Sequence, residues 1–174
     1  MADLYDVAEH LTKQAQNNFR RGEPSFSLAD AFGRSAFNRY YYACFLSVRD
    51  FLSLLDASWG RAKHKSVPEL LRGKVSERIT NELKKKERQK FFDAGEVQSK
   101  KSLVLTSLDR IASIMSEAYD IRGIVDYQPD VKIVFENGAF QINTTSVSKA
   151  KGWLQTIQHE KVKLVRVIQE VGLV

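Results

Sequence analysis

The sequence predicts an all-α protein, a helical bundle that carries one small β-hairpin before its last helix. Apolar residues recur at steps of three and four through most of the chain, which is the spacing of one helix face. The pattern changes to alternation only over residues 131–143, where Asn137-Gly138 supplies a strong hairpin signal. The 174 residues are 43% hydrophobic and 28% charged, which is typical of one soluble globular domain spanning residues 1–174.

Two helices are predicted in the first third of the chain. The first runs from about Asp3, a suitable N-cap, to about Phe19, and a loop containing Gly and Pro follows. The second, from about Ser27 to Leu55, is the most apolar segment of the protein. Because its apolar residues cover more than one face, we expect several neighbours around it, a second subunit among them. These residues are Ala36, Phe37, Tyr40, Tyr41, Ala43, Cys44, Phe45, Val48, Phe51, Leu52 and Leu55.

Three further helices are predicted after a loop over residues 56–66. A short helix starts near Ser66 and ends at Gly73, since glycine weakens a helix. A basic helix follows over about residues 76–92, and a long one over about residues 98–122. The inner side of the long helix is expected to hold Leu103, Leu105, Leu108, Ile111, Ala112, Ile114, Met115 and Ala118.

The C-terminal part is predicted to hold the hairpin and a final helix. The hairpin occupies about residues 131–143, and it should pack on helices because two strands alone are marginally stable. The final helix spans about residues 146–171, beginning near Thr145 or Ser146. Its buried stripe is predicted to be Ala150, Trp153, Leu154, Ile157, Leu164, Val165 and Ile168.

Basic residues concentrate in one segment of the chain. The protein carries a formal charge of +6, and residues 72–101 hold ten Lys and Arg against five Asp and Glu, a net +5. Such a segment can neutralise the phosphates of a nucleic acid. The alternative is a solvated helix face whose charges pair within the helix, as Glu82 and Lys86 are spaced to do. The candidate nucleic-acid contacts in this segment are Lys84, Lys85, Lys86 and Arg88.

Several function classes are excluded by what the sequence lacks. One cysteine, Cys44, leaves no internal disulfide, and within an apolar helix it is expected to be a core residue rather than a nucleophile. No Cys/His cluster and no glycine-rich phosphate loop is present, so we expect neither a metal site nor a cofactor. No apolar stretch is long enough to span a bilayer and the N-terminus is acidic, so we expect a cytoplasmic protein without a membrane partner.

Two segments hold polar side chains that need an explanation. Asn38-Arg39-Tyr40-Tyr41-Tyr42-Ala43 puts an arginine and three tyrosines within the apolar second helix, where a buried charge requires partners. Arg122, Asp126 and Tyr127 lie where the long helix is predicted to end. A fixed cation, a carboxylate and a phenol beside exposed backbone can bind a phosphate group. They can equally be a helix terminus with a local Arg–Asp pair.

These segments resemble motifs of a known family. Asn38-Arg39-Tyr40-Tyr41-Tyr42-Ala43-Cys44-Phe45 resembles the Arg-x-Tyr-Tyr-Ala-x-Phe core helix of small prokaryotic members of the HEPN superfamily. Lys63-His64-Lys65-Ser66-Val67 is similar to their Thr-His-Ser-Gly-Val helix start. Arg122-Gly-Ile-Val-Asp126-Tyr127 is similar to their Arg-x-x-x-Asp-Tyr exit from the next long helix. The three motifs occur in the family's order over about residues 28–130.

The resemblance implies an antiparallel helical bundle, a homodimer and a role in prokaryotic toxin–antitoxin or phage-defence systems. In active members, an Arg followed a few residues later by a His cleaves RNA without a metal, with two copies meeting across the dimer. Here Arg122 matches the Arg, and Tyr127 occupies the position of the His. The candidate catalytic residues are Arg122, Asp126, Tyr127 and, as a substitute base, His64. The candidate RNA contacts of the second helix are Arg39, Tyr41 and Tyr42.

Two functions remain open. The first is an RNA-binding protein or metal-independent endoribonuclease, with RNA or a nucleotide at Arg122. The second is a non-catalytic dimeric module that docks a protein from a neighbouring gene, such as a nucleotidyltransferase antitoxin or a defence ATPase. The missing His, the hairpin and the long C-terminal helix favour the second. In either case, the dimer is expected to form through helices holding Tyr40–Phe51 and Leu103–Arg122.

Overall fold

The computed structural model describes residues 4–174, so the N-cap predicted at Asp3 lies outside the described residues. Within this range the chain is mostly helical, with a small antiparallel sheet before the last helix, which confirms the all-α class. No helix of the described range combines the length and apolar character needed to cross a bilayer. The helices are α1 (Leu4–Arg20), α2 (Phe26–Leu55), α3 (Val67–Leu70), α4 (Ser76–Arg88), α5 (Ala94–Tyr127) and α6 (Val147–Glu170). The strands are β1 (Val134–Glu136), β2 (Ala139–Ile142) and β3 (Thr145–Ser146).

The chain divides into two compact units. Unit 1 holds the chain up to Leu46 together with Glu117–Gln155, so it includes α1 and the sheet. Unit 2 holds Ser47–Ser116 together with Thr156–Val174, so it includes α3 and α4. The three long helices, α2, α5 and α6, contribute residues to both units.

The apolar character of α2 is explained by burial within one chain. All eleven apolar residues predicted to be buried in this helix are at most 7% exposed, which confirms its core role. Cys44 is one of them, and burial raises the pKa of its thiol to about 12. Because the chain itself covers these residues, the argument that α2 needs a second subunit to bury it is wrong. The homodimer itself stays a prediction.

The helical path does not end at Gly73, so that prediction is wrong. α3 leads directly into a π-helical turn at Leu71–Val75, and α4 begins at Ser76. In an α-helix, two residues four positions apart differ by about 40° around the axis, so a stripe with this spacing gradually turns away from the core. A π-helical turn contains one extra residue, which offsets part of this rotation. The wide turn thus keeps one apolar stripe on the same side. That stripe is Val67, Leu71, Val75, Ile79 and Leu83.

α5 begins four residues earlier than predicted because a capping box starts it. The backbone N–H of Glu96 donates to Asp93 Oδ1 at 2.8 Å, and the N–H of Asp93 donates to Glu96 Oε2 at 2.9 Å. This reciprocal pair satisfies two backbone donors that a helix start leaves open. The preceding helix is shorter than predicted, since α4 ends at Arg88 and Lys90 has a positive φ of 61°.

α5 also continues past its predicted end and turns a different face inward. Gly123 lies within the helix, which runs on to Tyr127, so the end predicted at Arg122 is wrong. Leu103 and Leu105 were predicted to be buried, but they are 37% and 43% exposed. The buried positions near them are Val104 and Ser107, which fit the three- and four-residue steps to Leu108 and Ile111.

The hairpin turns at Asn137-Gly138, as predicted. Both residues have positive φ, 49° and 78°, which a type I′ turn requires, and Glu136 pairs with Ala139 on either side. β1 starts at Val134, later than predicted. A third strand was missed: β3 pairs antiparallel with β2, so the final helix begins at Val147.

Candidate functional site

Four residues of unit 1 form a polar cluster where α5 ends, and we name Asn38, Arg122, Asp126 and Tyr127 the Arg122 cluster. Arg122 Nε lies 2.7 Å from Asp126 Oδ2, an ion pair in which this buried N–H is not aligned for a hydrogen bond. Arg122 Nη2 donates to the Tyr127 hydroxyl at 3.2 Å, and the guanidinium lies 5.1 Å from the centre of that ring. Burial alone would lower the pKa of Arg122, but Tyr127 and Asp126 outweigh it and raise the pKa. Arg122 is thus a permanent cation.

Asn38 ties this cluster to α2. Its Nδ2 donates to Asp126 Oδ1 at 2.6 Å, so the two carboxylate oxygens of Asp126 are held by different side chains. The side chains of Arg122 and Asp126 are 21% and 24% exposed, so the pair is accessible at an edge. A cavity of about 180 Å³ opens beside it, lined by Arg34, Ser35, Asn38, Arg39, Val125 and Asp126.

This cavity is small and polar, which limits what it can hold. Pockets for whole drug-sized ligands start at about 300 Å³, so a space of this size suits a group such as a single phosphate. Arg39 lies at its wall and is exposed. From the sequence, Arg39 could have been a buried charge that needs polar partners. Its exposure shows that it is not buried. It is a cation available to solvent.

Arg34 has a structural role that the sequence does not indicate. Its guanidinium donates to the backbone carbonyls of Gln128 at 2.7 Å and Val131 at 2.5 Å, and more weakly to Ile124 at 3.4 Å. Ile124 lies in the last turn of α5, and its carbonyl also accepts the N–H of Gln128 at 3.0 Å, whereas Gln128 and Val131 follow the helix. Arg34 therefore fixes the segment that leads from α5 to the sheet.

The three tyrosines of α2 have different surroundings. Tyr41 is 0% exposed and contacts the rings of Tyr42, Phe45 and Tyr119, with centroid distances of 5.2–6.3 Å. Burial raises the pKa of Tyr41. A buried ring offers no face to a base, so we keep Tyr41 out of the proposed RNA surface. Tyr42 is half-buried beside it.

Tyr40 belongs to a separate network inside unit 1. It is 1% exposed, its hydroxyl donates to a carboxylate oxygen of Glu9, and Thr12 Oγ1 lies 3.1 Å away. Lys151 Nζ donates to the other oxygen of Glu9 at 3.0 Å. Burial, together with the hydrogen bond to Glu9, raises the pKa of Tyr40. This network satisfies the buried hydroxyl of Tyr40, while the side chains of Glu9 and Lys151 remain partly exposed.

His64 and Arg122 belong to different units. His64 lies in a 3₁₀ turn, His64–Ser66, is half-buried and is part of unit 2. Arg122 is part of unit 1, where its guanidinium contacts Asp126 and Tyr127. His64 as a substitute base stays a prediction.

The predicted basic surface lies on α4, in unit 2. Lys84, Lys85 and Arg88 are exposed, and Lys86 is half-buried with its Nζ 4.9 Å from the centre of the Phe91 ring. Lys85 pairs with Glu82 at 3.3 Å. The segment is therefore partly a solvated, paired helix face, and its exposed cations remain available to an anion.

Glu160 is a buried charged residue that was not predicted from the sequence. It is 2% exposed and accepts hydrogen bonds from Ser107 Oγ at 2.8 Å, Arg110 Nη1 at 3.0 Å and Lys163 Nζ at 3.0 and 3.1 Å. These residues line a groove of about 600 Å³ in unit 2. Every oxygen of the carboxylate has two donors, so the network holds α5 and α6 together within this unit. Glu160 lies on the apolar side of α6. Its partner Lys163 is one helical turn away, but Ser107 and Arg110 are distant in sequence.

The comparisons with known proteins leave the resemblance as the only indication of a family. Protein-family models, curated proteins and solved structures were compared with the chain, and none of them matches it. Within residues 4–174, no group of three or more His, Cys, Asp or Glu side chains is placed to hold a metal ion.

Proposed function

We propose that this chain is an RNA-binding protein of the HEPN type, in which the Arg122 cluster and Arg39 bind the phosphates of single-stranded RNA. The proposal rests on the resemblance of the three motifs together with one structural observation. The exposed Arg39 lines a phosphate-sized polar cavity, and the carboxylate in that cavity, Asp126, is already paired with Arg122. Because the pair neutralises Asp126, the charge left for a phosphate is positive.

The same cluster favours binding over cleavage. Cleavage at a 2′-hydroxyl needs a general base close to the reacting oxygen, and a histidine serves well because its pKa is near neutral. A phenol is protonated at neutral pH and is a poor base. In this cluster Tyr127 accepts a hydrogen bond from Arg122, and its ring is 70% exposed, which suits contact with RNA.

The test measures the binding of a 5′-labelled single-stranded RNA by fluorescence anisotropy. Arg39→Ala is expected to weaken binding by at least about tenfold, since a charge-assisted hydrogen bond contributes about 1.5–3 kcal/mol. Arg122→Ala should weaken it more, because it also leaves Asp126 unpaired beside the phosphate. Arg122→Lys keeps the charge but loses the planar fork, so its loss should be intermediate. Arg166→Ala, which removes an exposed arginine from α6, is the matched control and should have no effect.

Cleavage is tested with the same RNA in chelator. For a binding-only site we expect no cleavage by the wild-type protein, against the alternative in which His64 is the substitute base. Tyr127→His should introduce cleavage because it restores the Arg-and-His pair that the resemblance implies. Wild-type cleavage that is lost in Arg122→Ala and His64→Ala would contradict a binding-only site. If the wild-type protein binds no RNA, the proposal is wrong. The non-catalytic module that docks a partner protein is then the better reading.

A further inference from the structure

An aromatic cavity of about 450 Å³ lies in unit 1, within the range of small-molecule pockets. Its walls include the rings of Phe19, Phe26 and Phe135, and Asp30 and Lys132 supply its polar groups. We call this space the aromatic cavity. Phe19 stands at the end of α1, Phe26 begins α2 and Phe135 lies in β1, so three separate elements build it.

The phenylalanine rings pack against one another but remain partly exposed to solvent. Phe19 stacks on Phe135 with a centroid distance of 4.3 Å and an interplanar angle of 7°, and Phe26 lies 5.3 Å from Phe19. Phe19 and Phe26 are nevertheless 38% and 43% exposed. Phenylalanine rings left in water around a cavity indicate a surface that contacts a ligand.

The aromatic cavity is connected to the phosphate-sized cavity through α2. Asp30 lines the first and Arg34 lines the second, one helical turn apart, and Arg34 Nε lies 4.0 Å from Asp30 Oδ2. Arg39 lies on the same helix as Asp30, about 14 Å along its axis. A strand whose phosphate is held at Arg39 can therefore place the base of another nucleotide at the aromatic cavity. Lys132, which is exposed and also lines the aromatic cavity, adds a cation there.

We propose that the aromatic cavity is a nucleobase subsite, which takes one base of the single-stranded RNA bound at the Arg122 cluster. The proposal rests on the proposed function and specifies how that RNA is held. Base stacking on aromatic rings is the common means of holding single strands. Asp30 favours a base over an apolar side chain. Its Oδ1 accepts the N–H of Ile133 at 2.9 Å, and its Oδ2 lies in a long ion pair, 4.0 Å from Arg34 Nε, so Oδ2 can also accept from an exocyclic amine. Cytosine and adenine carry that amine and uracil does not.

The experiment separates the base from the backbone. Binding is measured for a labelled oligocytidine and for an abasic oligomer with the same ribose-phosphate backbone. Phe26→Leu keeps an apolar side chain but removes the aromatic face, so it should weaken oligocytidine binding about tenfold. It should leave binding of the abasic oligomer unchanged. Phe26→Tyr keeps the ring and should stay close to wild type. Leu28→Ala, at an exposed position of the same helix outside the cavity, is the control.

The outcomes distinguish the subsite from the function. If Phe26→Leu binds oligocytidine as well as wild type does, while Arg39→Ala is still weakened, the subsite is overturned and the RNA-binding function stands. Equal losses for both oligomers also overturn it, because stacking cannot act on an abasic strand. A labelled oligouridine tests Asp30, because uracil lacks the exocyclic amine. Wild-type affinity for it equal to that for oligocytidine would overturn the role of Asp30. If wild type binds neither oligomer, the RNA-binding function itself fails.

Discussion

At the scale of single residues, Glu160 shows how burial and pairing set a carboxylate's contribution to stability. Burial by itself would raise the pKa of Glu160, but hydrogen bonds from Ser107, Lys163 and Arg110 outweigh it and lower the pKa to about 2. A lowered pKa means that the folded state binds this proton less readily than the unfolded state. The stabilisation is therefore complete above the ordinary carboxylate pKa, near 4.3, and is lost as the pH falls from there to about 2.

We expect Glu160→Gln to lower the free energy of unfolding by about 1–3 kcal/mol at pH 7, because Ser107, Arg110 and Lys163 lose a buried, charged acceptor. Urea denaturation at several pH values measures this. The difference between wild type and variant should shrink between pH 5 and pH 3, where the wild-type carboxylate begins to lose its advantage. Glu170→Gln is the control. Glu170 pairs with Lys100 at the surface and is 36% exposed, so its loss should cost at most about 1 kcal/mol. A constant difference at every pH would contradict the assignment.

At the scale of elements, two glycines with equal space around them should respond oppositely to the same substitution. A Cβ at Gly123 or at Gly138 would meet no heavy atom within 4 Å. Gly123 lies inside α5, so Gly123→Ala should stabilise the protein by about 0.5–1 kcal/mol. Gly138 has a φ of +78° in the hairpin turn, so Gly138→Ala should destabilise it by about 1–2 kcal/mol. Thermal unfolding of both variants checks the pair, and a loss of stability in Gly123→Ala would show that α5 is not continuous there.

At the scale of the whole molecule, the net charge of +6 should make RNA binding depend on salt. Each phosphate contact to a single strand contributes about 0.7 to the slope of log affinity against log salt. If α4 contributes contacts, a triple variant with Lys84, Lys85 and Arg88 changed to Ala should reduce the slope by about 2. Arg166→Ala should leave the slope unchanged. An unchanged slope in the triple variant would confine binding to the Arg122 cluster.

The homodimer that the resemblance implies is also a property of the whole molecule. Light scattering at micromolar concentration measures it directly, and the resemblance predicts twice the 19.9 kDa of the chain. A monomer would leave a composite two-subunit site without support. It would not affect RNA binding within unit 1.

Local features of this protein could be predicted from its sequence, and distant pairings could not. The turn at Asn137-Gly138 depends on two adjacent residues, and the contact of Arg122 with Asp126 depends on one helical turn. Arg34 binds the Val131 carbonyl across 97 positions, and nothing near Arg34 indicates this. The exposure of Leu103 was missed for the same reason, since which face of α5 turns inward depends on partners elsewhere in the chain.

The π-helical turn at Leu71–Val75 bears on how the length of this chain can vary. A π-helical turn is geometrically an α-helix into which one residue has been inserted. Removal of a single residue there, such as Gly73, would leave an uninterrupted α-helix whose flanking parts keep their mutual orientation. Ile79 and Leu83 would still face the interior, and the basic side chains of α4 would still face outward. In an alignment of sequences that share this fold, we therefore expect a one-residue gap at this position, with the helices on both sides unshifted.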